Sequence, residues 1–101
     1  MAPKRLQKLE VHTDDAGVRV FVARSFRARL LGLALLDDVP RHWALLFPGC
    51  ASVHTFGMRF RLEVRFLDEH SEVLRRECSV RPGRVLRCPG AAAVLEWRSE
   101  S

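Results

Sequence analysis

The sequence lacks an apolar run long enough to cross a bilayer, which requires about 20 consecutive apolar residues. Its longest apolar stretch, residues 30–36, is closed by Arg29 on one side and Asp37 on the other. The amino terminus begins with basic residues, as a signal peptide does, but no apolar stretch follows them. We therefore expect a cytoplasmic protein without a membrane span.

Cysteine is scarce, and its spacing does not match a metal site. The three cysteines cannot all pair within one chain, and no Cys-x-x-Cys or His-x-x-x-His spacing occurs. A Gly-rich phosphate loop and a Gly-x-Ser-x-Gly motif are missing as well. We therefore predict no metal and no cofactor, and reduced, mostly buried thiols at Cys50, Cys78 and Cys88.

The composition is that of one small folded domain. The chain has 101 residues, of which 48% are hydrophobic, so it can build a single core. We divide it into a lead-in over residues 1–10, a β-rich domain over 11–98 and a frayed tail over 99–101. The net charge is +5, and 15 of the 17 basic residues are Arg. Because the arginines are spread along the chain, this charge only slightly favours an anionic partner.

The clearest pattern lies in residues 50–68, CASVHTFGMRFRLEVRFLD. From Thr55 onward, apolar and polar residues alternate with a period of two, which predicts a β-strand with one buried and one solvated face. Gly57 is the expected place for a break in this strand. The apolar parity consists of Phe56, Met58, Phe60, Leu62, Val64 and Phe66.

The remaining pattern predicts hairpins and one helix. Ser25 is a suitable N-cap for a helix through about Leu36, and Gly32 within it indicates close packing against another backbone. The expected fold class is α+β, with a mostly antiparallel, compact, barrel-like sheet and one short helix. The other predicted elements are a hairpin over 11–23 turning at 14–17, a buried strand over 43–47, a hairpin strand over 72–80, a loop-rich region over 81–90 and a last strand over 92–97.

Several short blocks over most of the chain match the pattern of one known family: Ala23, Gly32-Leu33, Leu45-Leu46-Phe47, Val53 to Arg59, Leu62, Val64, Phe66-Leu67-Asp68 and Ala93 to Glu96. In these blocks the sequence resembles the uncharacterised bacterial and archaeal family called domain of unknown function 192. This resemblance implies a compact β-rich domain with a short helix, and it supplies no established reaction, cofactor or partner. The chain departs from the family at Glu63, where relatives usually carry Asp, and after the last strand, where relatives tend to have a Leu-Pro-Ala-Gly-type turn.

A concentrated polar motif suggests a binding site. Imidazole exchanges a proton near neutral pH, and Arg recognises carboxylate or phosphate well. Since no complete catalytic set accompanies the motif, we predict a non-enzymatic binding or accessory domain that recognises a small anionic ligand or a protein segment. The predicted ligand-binding residues are His54, Thr55, Met58 and Arg59. The alternative for His54 is a histidine at the edge of the core that is satisfied by a backbone carbonyl.

The competing hypothesis is a small hydrolase or lyase. His54 and Glu63 would form the acid–base pair, and Arg59 would clamp an anion. The opposite strand parity of His54 and Glu63 argues against this pairing unless a bulge at Gly57 brings them together. Alternatively, Arg59 and Glu63 belong to a solvated row of charges.

Other partners are less favoured. Cys50 and His54 would lie about 13 Å apart on a regular strand, too far to act as a thiolate–imidazole pair unless the chain turns at Pro48-Gly49. As metal ligands they would need Cys78 or Cys88 to complete the set, and the spacing does not demand this. The aromatic residues sit in apolar context, so stacking of single-stranded nucleic acid is disfavoured. We expect a monomer or a weak dimer formed through an exposed strand edge.

Overall fold

The structure is a computed structural model that describes residues 4–7, 9–24, 32–33, 36 and 39–100, and β-strands dominate it. Within these residues no helix has the length and apolar character that crossing a membrane requires. The elements are helix α1 (Lys4–Gln7) and strands β1 (Glu10–Thr13), β2 (Arg19–Val22), β3 (Trp43–Pro48), β4 (Ser52–His54), β5 (Leu62–Leu67), β6 (Val73–Val80), β7 (Val85–Arg87) and β8 (Ala93–Arg98).

Six of the strands form one sheet in the order β1-β2-β3-β8-β5-β6, and β4 pairs with β7 in a separate two-stranded sheet. All neighbours are antiparallel except β2 and β3, which are parallel. In the described part of the chain, β1 and β6 remain the two edges of an open sheet. The expected barrel-like closure is therefore not confirmed, because β4 and β7 pair with each other instead of extending the larger sheet.

Both predicted hairpins are confirmed, and an aspartate organises each turn. The side chain of Asp14 accepts hydrogen bonds from the backbone N–H groups of Ala16 and Val18. Asp68 does the same for His70 and Glu72. An Asp carboxylate that caps nearby N–H groups in this way stabilises a tight reversal of the chain. These turns join β1 to β2 and β5 to β6.

The core lies on one face of the six-stranded sheet. In β5 the predicted alternation holds, since Leu62, Val64 and Phe66 are fully buried while the residues between them are half-buried. The buried strand predicted at 43–47 and the last strand predicted at 92–97 are confirmed as β3 and β8. Leu6, from the lead-in, also packs into this core.

The strand predicted from Thr55 onward begins only at Leu62, and the expected break at Gly57 is confirmed. β4 ends at His54 and β5 begins at Leu62, with a turn between them in which Gly57 has a φ of +78°. Phe56 is 54% exposed although its parity predicted burial. The cause is a set of hydrogen bonds to the loop before β7: the Thr55 N–H donates to the Arg84 carbonyl, and the Gly83 N–H donates to the Thr55 carbonyl.

Most of the predicted helix over residues 25–36 lies outside the described residues. Gly32 is described and has a φ of +49°, so a regular right-handed helix does not pass through it. A Cβ at this position would meet the side chains of Glu96 and Phe47, so the close approach is to side chains rather than to another backbone. Residues 85–87, predicted as loop, form β7.

Candidate ligand-binding cavity

A cavity of about 260 Å³ lies between the β4–β7 pair and the buried face of the large sheet. Phe47 of β3 and Glu96 of β8 form the side of the cavity on the large sheet, and residues of β4 and β7 form the opposite wall. Most of the wall is apolar, and the exposed lining residues mark its opening. The cavity is lined by Gly32, Phe47, Cys50, Ser52, Val53, His54, Met58, Val85, Arg87 and Glu96.

His54 stands at the end of β4, where it pairs with Val85 of β7. Its Nδ1 accepts a hydrogen bond from the backbone N–H of Phe56 at 3.2 Å. The imidazole also stacks on the Phe56 ring, with 5.7 Å between ring centroids and 27° between planes. Since Nδ1 accepts, the neutral ring carries its proton on Nε2. The backbone and Phe56 thus fix both the orientation and the tautomer of this side chain.

The other predicted binding residues take different places. Thr55 is fully buried, and its hydroxyl donates to the Arg81 carbonyl at 2.7 Å and accepts from the Arg84 N–H at 2.8 Å. Its hydroxyl therefore stabilises the contact between this turn and the loop before β7. Met58 is buried and lines the cavity beside His54. Arg59 is exposed and is not part of the cavity wall.

Glu96 is the cavity residue that the sequence interpretation missed. Only 1% of its surface is exposed, and its Oε1 has no hydrogen-bond partner among the described residues. Burial raises the pKa of this carboxyl to about 8. The signal was its parity: Glu96 shares the inward side of β8 with Val94, so the period of two already placed a carboxyl on the buried face.

Glu63 lies on the other face of the sheet. It pairs with Trp97, whereas its neighbour Val64 pairs with Glu96, and successive residues of a strand point to opposite faces. Glu63 lines a second cavity, of about 380 Å³, with Ser79 and Ser99 among its other wall residues. The structure therefore does not bring Glu63 together with His54, and the acid–base pair of the hydrolase hypothesis is not assembled.

The surroundings of Glu63 stabilise its charge. Burial raises the pKa of this carboxyl, but hydrogen bonds from the Ser79 N–H, at 2.7 Å, and from the side chains of Ser99 and Cys78 outweigh that effect. Arg65, whose Nη2 lies 3.5 Å from Oε1, acts in the same direction. The net result is a pKa below the usual value for Glu.

Cys50 does share a cavity with His54, because the chain reverses at Gly49 before β4. Among the residues that the structure describes, no group of three or more His, Cys, Asp or Glu side chains is arranged to hold a metal ion. Cys50 and Cys88 are half-buried, whereas Cys78 is exposed and does not fit the expectation of buried thiols.

Solved structures with the same fold come from two bacteria. A protein of unknown function from Novosphingobium aromaticivorans is 14% identical, with a TM-score of 0.72, and the match covers 99% of this chain and 89% of that one. A protein from Sinorhizobium meliloti, called a "putative transcription regulator", is 16% identical, with a TM-score of 0.74, over 88% of this chain and 78% of that one. At these identities the likeness shows the fold alone.

No curated protein matches the chain. The model of the family DUF192, described as "Uncharacterized ACR, COG1430", matches residues 8–101, which is nearly the whole sequence. The chain therefore belongs to the uncharacterised family DUF192.

Proposed function

We propose that this protein is a non-enzymatic binding domain that takes up a small anionic ligand in the cavity between the β4–β7 pair and the large sheet. The observation that carries the proposal is the composition of one cavity wall. It combines an apolar lining with His54, Arg87 and the buried carboxyl of Glu96. Small-molecule sites in proteins have this character, with a mostly apolar wall and a few polar groups that fix orientation.

The volume limits the size of the ligand. The cavity measures about 260 Å³. Binding sites for drug-sized molecules begin at about 300 Å³. The cavity therefore suits a compact compound with on the order of ten non-hydrogen atoms better than a nucleotide-sized ligand.

The charge of the opening favours an anion. Arg87 is an exposed part of the wall, and its guanidinium is always protonated. The chain as a whole carries a net charge of +5, which acts in the same direction.

The test is calorimetric titration with benzoate, 3-methylbutanoate and inorganic phosphate at pH 6.5, with thermal unfolding in parallel. At 100 times its dissociation constant, a ligand of the folded state adds about 2.7 kcal/mol of stability. We expect at least one of these anions to bind and stabilise the wild type. In Arg87→Gln the affinity should fall about tenfold, which corresponds to about 1.4 kcal/mol.

The matched control is Arg76→Gln. Arg76 is an exposed arginine of β6 that does not line the cavity, so its loss changes the net charge equally. We expect this variant to bind like the wild type. The proposal fails if none of the three anions binds, or if the two arginine variants lose the same affinity, since the second result would indicate a nonspecific charge effect.

A second candidate ligand is a protein segment, and one observation favours it. Phe56 and Val85 are each 54% exposed on either side of His54, next to the opening of the cavity. Exposed apolar side chains of this kind often mark contact surfaces. If a segment of a partner binds here, Phe56→Ser should weaken the binding of that segment more than it weakens the binding of benzoate.

A further inference from the structure

We propose that the ligand is a small monocarboxylate with an apolar body, held by a hydrogen bond from the protonated carboxyl of Glu96 to its carboxylate. This inference rests on the proposed function and adds the chemical class of the ligand. It also makes uptake proton-linked, because Glu96 has to hold its proton for the anion to bind. No covalent step is involved.

The first argument is the placement of Glu96. Its Oε1 is buried in the cavity wall without a hydrogen-bond partner among the described residues. Buried polar side-chain atoms in native proteins are nearly always hydrogen-bonded. The lack of a side chain at Gly32 leaves space beside this oxygen, since a Cβ there would lie only 3.2 Å from it. A ligand oxygen in the cavity would complete the hydrogen bonding of Glu96.

The second argument is the set of groups around this carboxyl. β3 and β5 present apolar neighbours to it, and strand pairing sets Leu45 and Val64 directly opposite. Among the residues that the structure describes, the ionisable groups that share its cavity are Cys50 before β4, His54 on β4 and Arg87 on β7. Burial among apolar groups raises the pKa of Glu96 to about 8. At neutral pH the carboxyl is therefore mostly neutral and offers one O–H donor.

The third argument is the match between donor and ligand. A hydrogen bond from a carboxyl O–H to a carboxylate is short and charge-assisted, and hence strong. An ionised Glu96 would instead repel the same anion. The apolar wall formed by Phe47, Val53 and Met58 suits a hydrocarbon body, and of the described lining residues Arg87 alone supplies fixed positive charge. One charge on the ligand fits this wall better than two.

The experiment is titration calorimetry of the full chain with benzoate between pH 6 and pH 9.5. Above about pH 8 the wild-type affinity should fall about tenfold per pH unit, because each binding event must then protonate Glu96. Measurements in buffers of different ionisation enthalpy should show uptake approaching one proton per benzoate at pH 9. Benzamide is the neutral comparison ligand, and its affinity should not fall in this way.

Two variants assign the proton. Glu96→Gln keeps an N–H donor and cannot ionise, so its benzoate affinity should be independent of pH between 7 and 9.5. Cys50→Ser removes the thiol from the same wall and should keep the wild-type decline. If Cys50→Ser abolishes the decline, or Glu96→Gln retains it, the inference is wrong. Should Glu96→Gln not fold, proton uptake by the wild type still decides, because uptake near zero at pH 9 overturns the inference.

Failure of this inference is distinguishable from failure of the proposed function. If benzoate and 3-methylbutanoate do not bind but phosphate does, the cavity is an anion site and the monocarboxylate assignment is wrong. If benzoate binds with an affinity that does not change with pH, the role of Glu96 is wrong and the binding function stands. If no anion binds at any pH, both proposals fall together.

Discussion

At the residue scale, one buried hydroxyl holds the cavity wall in place. The Thr55 side chain bridges the Arg81 carbonyl and the Arg84 N–H, across 26 and 29 residues of sequence. We predict that Thr55→Val, which is nearly isosteric, lowers the free energy of unfolding by about 1–3 kcal/mol, because two part-buried backbone groups lose their hydrogen-bond partner. Urea denaturation at neutral pH measures this loss.

The control for this prediction is Thr55→Ser. Serine keeps the hydroxyl and loses one methyl group, so it should cost clearly less than valine. Equal losses in the two variants would mean that packing around the methyl group, and not the hydroxyl bridge, is what stabilises this position.

Gly32 provides a second prediction at this scale. Its φ of +49° is left-handed, and a methyl group there would lie 3.2 Å from Glu96 Oε1 and 3.4 Å from Phe47 Cζ. Gly32→Ala combines a backbone cost of about 1–2 kcal/mol with overpacking of about 1–3 kcal/mol. We expect a loss of at least about 2 kcal/mol in the free energy of unfolding, measured by chemical denaturation.

Gly83→Ala separates these two contributions. Gly83 has a φ of +83°, and nothing lies within 4 Å of its would-be Cβ, so its variant has the backbone cost without the crowding. The difference between the two variants therefore reports the contact with Glu96 and Phe47. If Gly32→Ala and Gly83→Ala lower the free energy of unfolding equally, the side chains around Gly32 move aside without a measurable energetic cost.

At the element scale, the β4–β7 pair is the least supported part of the fold. It has three residues in each strand, and an isolated pair of strands is marginally stable in water. β8, in contrast, is bonded on both sides, to β3 and to β5. We predict that amide hydrogen exchange is slowest in β8 and markedly faster in β4 and β7, through local opening. Equal protection in all three strands would contradict this prediction.

The same elements show what the sequence could and could not reveal. β5 is a regular strand paired with β6 and β8, so its successive side chains point alternately to the core and away from it. The alternation in the sequence therefore predicted the burial of Leu62 and Val64 correctly. In the sequence the alternation extends back to Phe56, but Phe56 lies in a turn and is exposed, so the alternation does not report burial there. The chain leaves the strand because Thr55 bonds to the loop at 81–84, and nothing in a periodic pattern reveals partners that are so distant in sequence.

The candidate site was predictable in part for the same reason. His54 and Met58 were identified and do line the cavity, although the turn rather than a regular strand brings them there. Glu96 was missed because a lone Glu in a terminal strand looks like a solvated residue unless its parity with Val94 is followed. Gly32 and Arg87 reach the wall through tertiary packing, for which a single sequence contains no signal.

At the scale of the whole molecule, two carboxyls on opposite faces of the sheet respond oppositely to folding. Hydrogen bonds outweigh burial at Glu63 and leave its pKa below the usual value, whereas burial alone raises the pKa of Glu96 to about 8. A lowered pKa stabilises the folded state above the normal value of 4.5, and this stability is lost as the pH falls. A raised pKa stabilises it in acid, and that contribution is lost as the pH rises towards about 8.

These opposed effects predict that the free energy of unfolding is greatest at about pH 5 and declines from there to about pH 8. The slope of the decline is at most about 1.4 kcal/mol per pH unit for one group. Urea unfolding of the ligand-free protein at constant ionic strength, from pH 3.5 to pH 9, measures the curve.

Glu96→Gln should remove the decline on the alkaline side, and Glu63→Gln should weaken the loss on the acid side. Because the two residues lie on opposite faces, each variant is the control for the other, and curves that remain parallel to the wild type would contradict the assignment.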